Sequence, residues 1–276
     1  MAYSKSAADK ADKPVAVVDT IWQEMRCEAE RAITAEPALD GFLHAAVLTH
    51  NRLEDVVCYR IAQFLDHNDI GSGLINQTFL EIVDSTPDLS RLFQADLAAV
   101  FDRDAACSRY LEPLLYFKGF HALVTHRFAH VLWRQGRRDF ALYLQSQSSR
   151  TFAIDIHPAA TIGAGIMLDH GHGIVVGETS RIGDNVSILH GVTLGGTGKE
   201  SGDRHPKIGN YVMIGAGAKV LGNIRVGSCS RVAAGSVVLN DVPESQTVAG
   251  VPAKVVGPAG CPEPASLMDQ RIPLAD

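Results

Sequence analysis

Residues 174–194 read Ile174-Val-Val-Gly-Glu-Thr-Ser-Arg-Ile-Gly-Asp-Asn-Val-Ser-Ile-Leu-His-Gly-Val-Thr-Leu194. Aliphatic side chains recur at Val176, Ile182, Ile188 and Leu194, six apart, and Gly177, Gly183 and Gly195 directly follow three of them. Neither the helical period of 3.6 nor the strand period of 2 generates that interval. Outward from this stretch the same spacing holds at Ile156, Ile162 and Leu168, and again at Ile208, Ile214, Val220, Val226, Val232 and Val238. A six-residue repeat is the signature of a parallel β-helix. Each hexad supplies a short strand and a corner, three hexads close a triangular coil, and the aliphatic side chain points inward. Coils stack at the strand spacing of roughly 4.8 Å. The thirteen positions from 156 to 238 predict about four coils.

The repeat breaks twice. Leu168 to Val176 is eight residues, so two extra residues leave the coil in Asp169-His-Gly-His-Gly173; Leu194 to Ile208 is fourteen, so eight extra residues leave it between Gly195 and Lys207. A solenoid has no structural need for either excursion, and loops on a rigid scaffold are where sites concentrate. Both carry His and Asp. Asp155 stands fifteen positions before His170, close to one coil, which predicts the two near one corner. A carboxylate there fixes an imidazole's tautomer and frees its other nitrogen as a general base; the same pair would also serve as a purely structural corner contact. Arg204 and His205, at the far end of the longer loop, suit a carboxylate, because a guanidinium matches carboxylate geometry; a solvated loop charge is the alternative.

Upstream the grammar is helical. Ile21, Met25 and Ala29 recur at spacing four. Further helices are predicted over Leu39 to Leu65, Leu74 to Val83 and from Pro87 to about Phe101. A long helix opening at Pro113 runs through Phe120, Val124, Phe128 and Leu132 to near Gly136, and a short one covers Phe140 to Gln147.

Composition narrows the function. The 276 residues carry 25 Lys+Arg against 31 Asp+Glu, a formal net charge of −6, so no nucleic-acid footprint is expected. No apolar run is long enough to span a bilayer, and the polar N-terminus lacks the apolar centre of a secretory signal. Five scattered cysteines without a C-x-x-C pair argue against a disulfide framework or zinc knuckle and leave a cytoplasmic setting as the expectation. His157, His172, His190 and His205 offer a rival zinc site, but no two stand at ligand-pair spacing, so no metal is expected. His126-Arg-Phe-Ala-His130 lacks the Glu of a metalloprotease helix and is taken as a surface or packing pair, and Gly195-Gly-Thr-Gly-Lys199 lacks Walker spacing.

Taken together, Asp155-Ile-His-Pro-Ala-Ala160, Gly165-Ile-Met-Leu-Asp-His170, Gly173-Ile-Val-Val-Gly-Glu178, Val192-Thr-Leu-Gly-Gly-Thr-Gly-Lys199, Gly202-Asp-Arg-His-Pro-Lys207, Met213-Ile-Gly-Ala-Gly-Ala-Lys219 and Ala249-Gly-Val-Pro-Ala-Lys254 resemble the serine O-acetyltransferase family. Pro113-Leu-Leu-Tyr-Phe-Lys-Gly-Phe-His-Ala122 and Trp133-Arg-Gln-Gly-Arg-Arg138 extend the resemblance into the helical half, over roughly residues 18–257. With the repeat and the helical pattern it gives an α+β chain: a disordered tail at 1–14, a helical domain at 15–150, a left-handed parallel β-helix at 151–257 and, from Pro258, Pro262, Pro264 and Pro273, a tail at 258–276 expected to be mobile.

The resemblance also implies acetyl transfer from acetyl-CoA to the L-serine hydroxyl, the first step of cysteine biosynthesis. His170 matches the general base and Asp155 its dyad partner. Asp104 and Asp169 match the carboxylates that hold the serine ammonium, and Arg204 with His205 the groups that bind its carboxylate. Gly196, Thr197, Ala216, Ala234 and Lys254 match positions along the CoA groove. Where the family continues with Pro after Asp104, this chain has Ala105. No cysteine lies in either loop, so direct transfer in a ternary complex is expected. L-cysteine is expected to inhibit at the serine site, and trimers or a dimer of trimers are the expected assembly. Many family members end in an Ile that binds O-acetylserine sulfhydrylase; here Ile272 is internal, which leaves that partner in doubt. A sugar acetyltransferase of the same fold and a non-enzymatic scaffold are the competing readings.

Overall fold

The computed structural model describes residues 16–198 and 201–271. The tail expected at 1–14, Lys199 and Ile272 lie outside the described residues. The helical half comprises α1 (Ala16–Ala35), α2 (Asp40–Leu43), α3 (Leu53–Phe64), α4 (Ser72–Ser85), α5 (Asp88–Arg103), α6 (Leu111–Tyr116), α7 (Lys118–Arg134) and α8 (Arg138–Phe152). Its core is aromatic: Phe128 of α7 stacks on Phe79 of α4 at 3.9 Å and tilts against Phe93 of α5 at 5.6 Å. Helix α5 shows why it packs, since Leu89, Phe93, Leu97 and Val100 fall on one face and all are buried.

Two of the expected helices are broken, and the one expected over Phe140 to Gln147 runs on to Phe152. The single helix over 39–65 is broken into short turns through Leu48, and α3 starts only at Leu53. The reason is that Arg26 Nη1 donates to the carbonyls of Leu48 (3.2 Å) and His50 (2.9 Å), and Trp22 Nε1 donates to that of Asn51 (3.1 Å). These side chains of α1 occupy acceptors that a continuous helix would need. Pro113 does not open the long helix either. It sits in the first turn of α6, where its missing N–H costs nothing, and the chain breaks at Phe117 (φ −95, ψ 106) before α7.

Beyond residue 153 the chain is a parallel β-solenoid. One sheet stacks β1 (Ile154–Ile156), β4 (Ile174–Val176), β7 (Thr193–Gly195), β10 (Lys219–Leu221) and β13 (Val237–Val238). A second stacks β2 (Thr161–Ile162), β5 (Arg181–Ile182), β8 (Lys207–Ile208) and β11 (Arg225–Val226). The third holds β3 (Met167–Asp169), β6 (Ser187–Leu189), β9 (Met213–Ile214), β12 (Arg231–Val232), β14 (Gln246–Gly250) and the antiparallel β15 (Ala253–Pro258). Every hexad aliphatic is buried except Ile162, which is half-buried beside the helices. There are five coils rather than four, because Val242 and Val248 continue the buried column past Val238.

The corners are regular. Between the second and third sheets, Gly165, Asn185, Tyr211, Cys229 and Ser245 repeat a positive φ, one per coil. Between the third and first, Gly173, Gly191, Gly217 and Gly235 do the same and stack so closely that a Cβ on Gly191 would contact the Gly217 Cα at 3.4 Å. His170 (φ 54) is left-handed outside both series.

Several contacts fasten the helices to the first coils, among them two through α7. Asp96, fully buried, accepts from Arg127 Nε (2.6 Å) and Nη2 (2.9 Å) and from the Ile166 N–H (2.9 Å), while Arg127 also donates to the Gly163 carbonyl. Burial pushes the Asp96 carboxyl upward, against the pull of the guanidinium. At the start of α7, Gly119 lies against the Leu168 carbonyl of β3, where any Cβ would overlap that oxygen.

The expectation of a mobile tail from 258 is corrected over 258–271. Helix α9 (Pro264–Leu267) packs beside α5, with Ala259 and Ala265 buried. Ser187 Oγ donates to the Ala265 carbonyl (2.9 Å), and Arg231 Nη1 donates to that of Asp269 (2.8 Å). The reason is compositional: Ala259 and Ala265 are small enough to seat on the third sheet, and the buried Arg231 supplies donors to otherwise free carbonyls. No helix among the described residues is long and apolar enough to cross a membrane.

Candidate active site

The shorter excursion closes a groove of about 690 Å³ between the helical layer and the first coil. Its walls include Val100 and Asp104 at the end of α5, Phe117 and Gly119 at the start of α7, and Asp169 with His170 at the end of β3. Asp104 caps α5, its N–H donating to the Val100 carbonyl (2.9 Å). Its Oδ1 accepts from the Ala106 N–H (2.8 Å), and among the described residues no donor meets Oδ2. Burial pushes the Asp169 carboxyl above the usual range and the nearby Asp104 carboxylate adds to this, while His170 and His190 oppose it.

His170 is 75% exposed at the side chain, and its Nε2 stands 3.8 Å from Asp169 Oδ1. Its ring meets that of His190, one coil further on, edge-to-face at 5.9 Å. The same corner continues upward through Ala216 and Ala234, since each corner N–H bonds the carbonyl one coil below: Gly191 to His172, Gly217 to His190, Gly235 to Ala216. Ala216 and Ala234 therefore share a column with the His170 corner. Lys254 lies exposed on β15, opposite Ala249.

The expected Asp155–His170 contact is not formed. The first coil is twenty residues long, so the register partner of Asp155 is Val175, beyond the corner that holds His170. Asp155 Oδ1 instead accepts from Gln145 Nε2 (2.7 Å) of α8. The carboxylate nearest His170 is its neighbour Asp169.

The longer excursion leaves from the opposite edge of the first sheet. Gly196, Thr197, Arg204 and His205 gather there, away from the groove. Arg204 Nη2 donates to Glu178 Oε2 (2.8 Å), and its N–H donates to Thr179 Oγ1 (3.0 Å). This ion pair draws the Glu178 carboxyl below its ordinary range. His205 is buried over Gly177, and the Thr179 N–H donates into its Nδ1 (3.2 Å), so the ring proton sits on Nε2. Burial and the Arg204 charge lower its pKa and keep the ring neutral. One chain thus brings Asp104, Asp169 and His170 together and holds Arg204 and His205 the width of a three-residue strand away, roughly 10 Å.

The remaining histidines go separate ways: His157 packs edge-on to Trp133 at 5.2 Å, and His172 meets Lys118 Nζ at 3.3 Å. His126 is buried on α7, 5.8 Å from His130. Among the described residues no three His, Cys, Asp or Glu side chains gather to hold a metal. Sequence reasoning missed the helical wall of the groove, Val100, Phe117, Lys118 and Gly119. No local signal marks it, because the contact spans about fifty residues of chain.

Comparison with known proteins converges on one family. The family model "Serine acetyltransferase, N-terminal" matches residues 21–125, and "Bacterial transferase hexapeptide (six repeats)" matches 205–240. A serine acetyltransferase of Salmonella typhimurium is 49% identical over 259 residues, 94% of this chain and 95% of that protein. The crystal structure of a Brucella abortus serine acetyltransferase in complex with coenzyme A superposes with a TM-score of 0.87 at 57% identity, covering 89% of this chain and 98% of that one. A serine acetyltransferase in complex with cysteine has a TM-score of 0.90 at 49% identity, covering 92% and 98%.

Proposed function

The chain belongs to the serine acetyltransferase family, and from that premise we propose that it moves acetyl from acetyl-CoA to L-serine at the His170 groove, by general-base catalysis in a ternary complex. The observation that carries the reading is the meeting of Asp104, Asp169 and His170, from two separate halves of the chain, around one cavity. Two carboxylates beside an imidazole suit a substrate that carries an ammonium next to a hydroxyl.

A serine hydroxyl is a weak nucleophile at neutral pH. His170 takes its proton as Oγ attacks the thioester carbonyl, and the imidazolium returns that proton to the departing sulfur as the C–S bond breaks. The acceptor oxygen gains acetyl and CoA leaves as the thiol, with no acyl-enzyme. The dyad role for Asp155 requires its carboxylate to leave Gln145 for the imidazole, a rearrangement of the His170 corner. The cofactor runs along the corner above His170, past Ala216 and Ala234; a Brucella relative solved in complex with coenzyme A supports the identity of the cofactor.

Arg204 and His205 serve the serine carboxylate. Because they lie at the other edge of the first sheet, they meet the substrate from a neighbouring copy, in the trimer that the family resemblance implies. His205 is suited to this as a neutral Nε2–H donor. L-cysteine keeps the ammonium and carboxylate of serine and so competes in the same groove; a relative solved in complex with cysteine supports cysteine as a ligand.

The test is CoA release from acetyl-CoA with L-serine and with a panel of sugars, for the wild type and His170→Ala. Serine-dependent turnover that falls by about 10²–10⁴-fold in the variant supports the reading; turnover only with sugars, or an unaffected variant, overturns it.

A further inference from the structure

Helix α5 turns three polar residues toward the solenoid, Asp96, Arg103 and Asp104, and the reaction above uses only the last. Asp96 and Arg103 are seven residues apart, two helical turns, and so share a face. Asp96 bonds the first coil through the Ile166 N–H. Arg103 bonds the second: Nη1 donates to Ser187 Oγ (3.1 Å) and Nη2 to Asn185 Oδ1 (3.2 Å). Both acceptors are neutral, and burial pushes the guanidinium below its ordinary range. A desolvated arginine on two neutral acceptors is a poor device for stability alone. Its rigid planar fork is, however, well suited to fixing a direction. Arg103 does not line the groove, but it immediately precedes Asp104, which does.

We propose that Arg103 is the positioning residue of the ammonium subsite: its fork onto Asn185 and Ser187 locks the last turn of α5 to the second coil and so sets where Asp104 stands relative to Asp169 and His170. This rests on the reading of Asp104 as an ammonium ligand. It follows that preference for an acceptor with an ammonium group depends on a residue that never touches the acceptor. Ser187 Oγ also donates to the Ala265 carbonyl, so the C-terminal segment steadies the same hydroxyl.

The experiment compares kcat/KM for L-serine with that for 3-hydroxypropionate, which keeps the hydroxyl and carboxylate and lacks the ammonium, in full-length wild type, Arg103→Met, Arg103→Lys and Asp104→Asn. Where 3-hydroxypropionate turnover is too slow, its competitive inhibition constant replaces it. Arg103→Met is expected to lower the serine preference by about tenfold to a hundredfold through KM for serine, the size of effect a misplaced group of ~1 Å produces, with KM for acetyl-CoA unchanged. Arg103→Lys recovers part of the loss. A preference that Asp104→Asn lowers and Arg103→Met leaves intact, or equal losses on both acceptors in Arg103→Met, overturns the positioning role alone. A preference untouched by Asp104→Asn removes the ammonium reading itself. Should Arg103→Met fail to fold, Asn185→Ala and Ser187→Ala each remove one acceptor and carry the same expectation at smaller size; unchanged preference in both overturns it.

Discussion

The two excursions from the hexad repeat meet opposite fates. At 169–173 only two residues are added, yet the loop faces the helical layer and acquires Asp104 and the α7 wall as neighbours. At 195–207 eight are added, and the two side chains expected to bind a carboxylate fold back onto the preceding coil, Arg204 onto Glu178 and His205 over Gly177. A bulge on a solenoid is thus only an opportunity. What it does depends on whether another element is packed over that corner, and here the helices cover one corner and leave the other open.

That contrast is sharpest at two glycines. In Gly119→Ala the new methyl overlaps a backbone carbonyl, that of Leu168, which cannot rotate away. The helical layer must lift from β3, and a loss of about 1–3 kcal/mol of stability is expected, read as a lower denaturant midpoint, together with most serine turnover. In Gly177→Ala the methyl meets only the His205 ring, a side chain that can swing out. The midpoint should move much less while kcat/KM for serine falls by about tenfold. Equal destabilisation in the two variants would mean that both corners are built alike.

Acid separates the helical half from the solenoid more gently. His121 is buried with its ring nitrogen on the Leu114 carbonyl (2.8 Å), and burial pulls its pKa down to about 4. The unfolded chain binds that proton near the ordinary value of about 6.5, so the contribution is complete above that pH and is lost as pH falls from there to about 4. Tm measured against pH should decline across this window, and His121→Gln should flatten the decline. A variant with the wild-type slope would place acid sensitivity elsewhere.

The smallest effect concerns Asp169. Its raised pKa means that the folded state disfavours the ionised carboxyl, so the strain is present above the folded pKa and relieved as pH falls through it. Asp169→Asn should therefore be slightly more stable at neutral pH while losing affinity for serine. A lower Tm in that variant would show that the carboxylate stabilises the corner rather than being held there for a ligand.

Much of this was legible beforehand because a solenoid's contacts are local in register: Ile188 meets its equivalents one coil either side, at an interval the chain itself displays. The helices were less so. The break after Leu48 depends on Arg26 and Trp22 reaching across from α1, and nothing in residues 39–65 announces those donors. The Asp155–His170 expectation failed for a related reason. Fifteen residues separate the pair, whereas a regular coil spans eighteen and this first one twenty, so the register partner of Asp155 is Val175 and lies past His170. In the C-terminal segment, proline content suggested freedom, whereas Ser187 and Arg231 on the third sheet held its carbonyls.

By itself, then, the sequence determined the repeat, the inward aliphatic columns, the places where the coil is interrupted and the chemical types available there, because each is written in intervals of a few residues. Tertiary structure decided which of those groups meet. Asp104 and His170 line one groove because Asp96, Arg103 and Gly119 let one helix layer settle on the first coils, and Arg204 lies away from that groove. Contacts between residues tens of positions apart are set by packing and desolvation, which no short interval encodes.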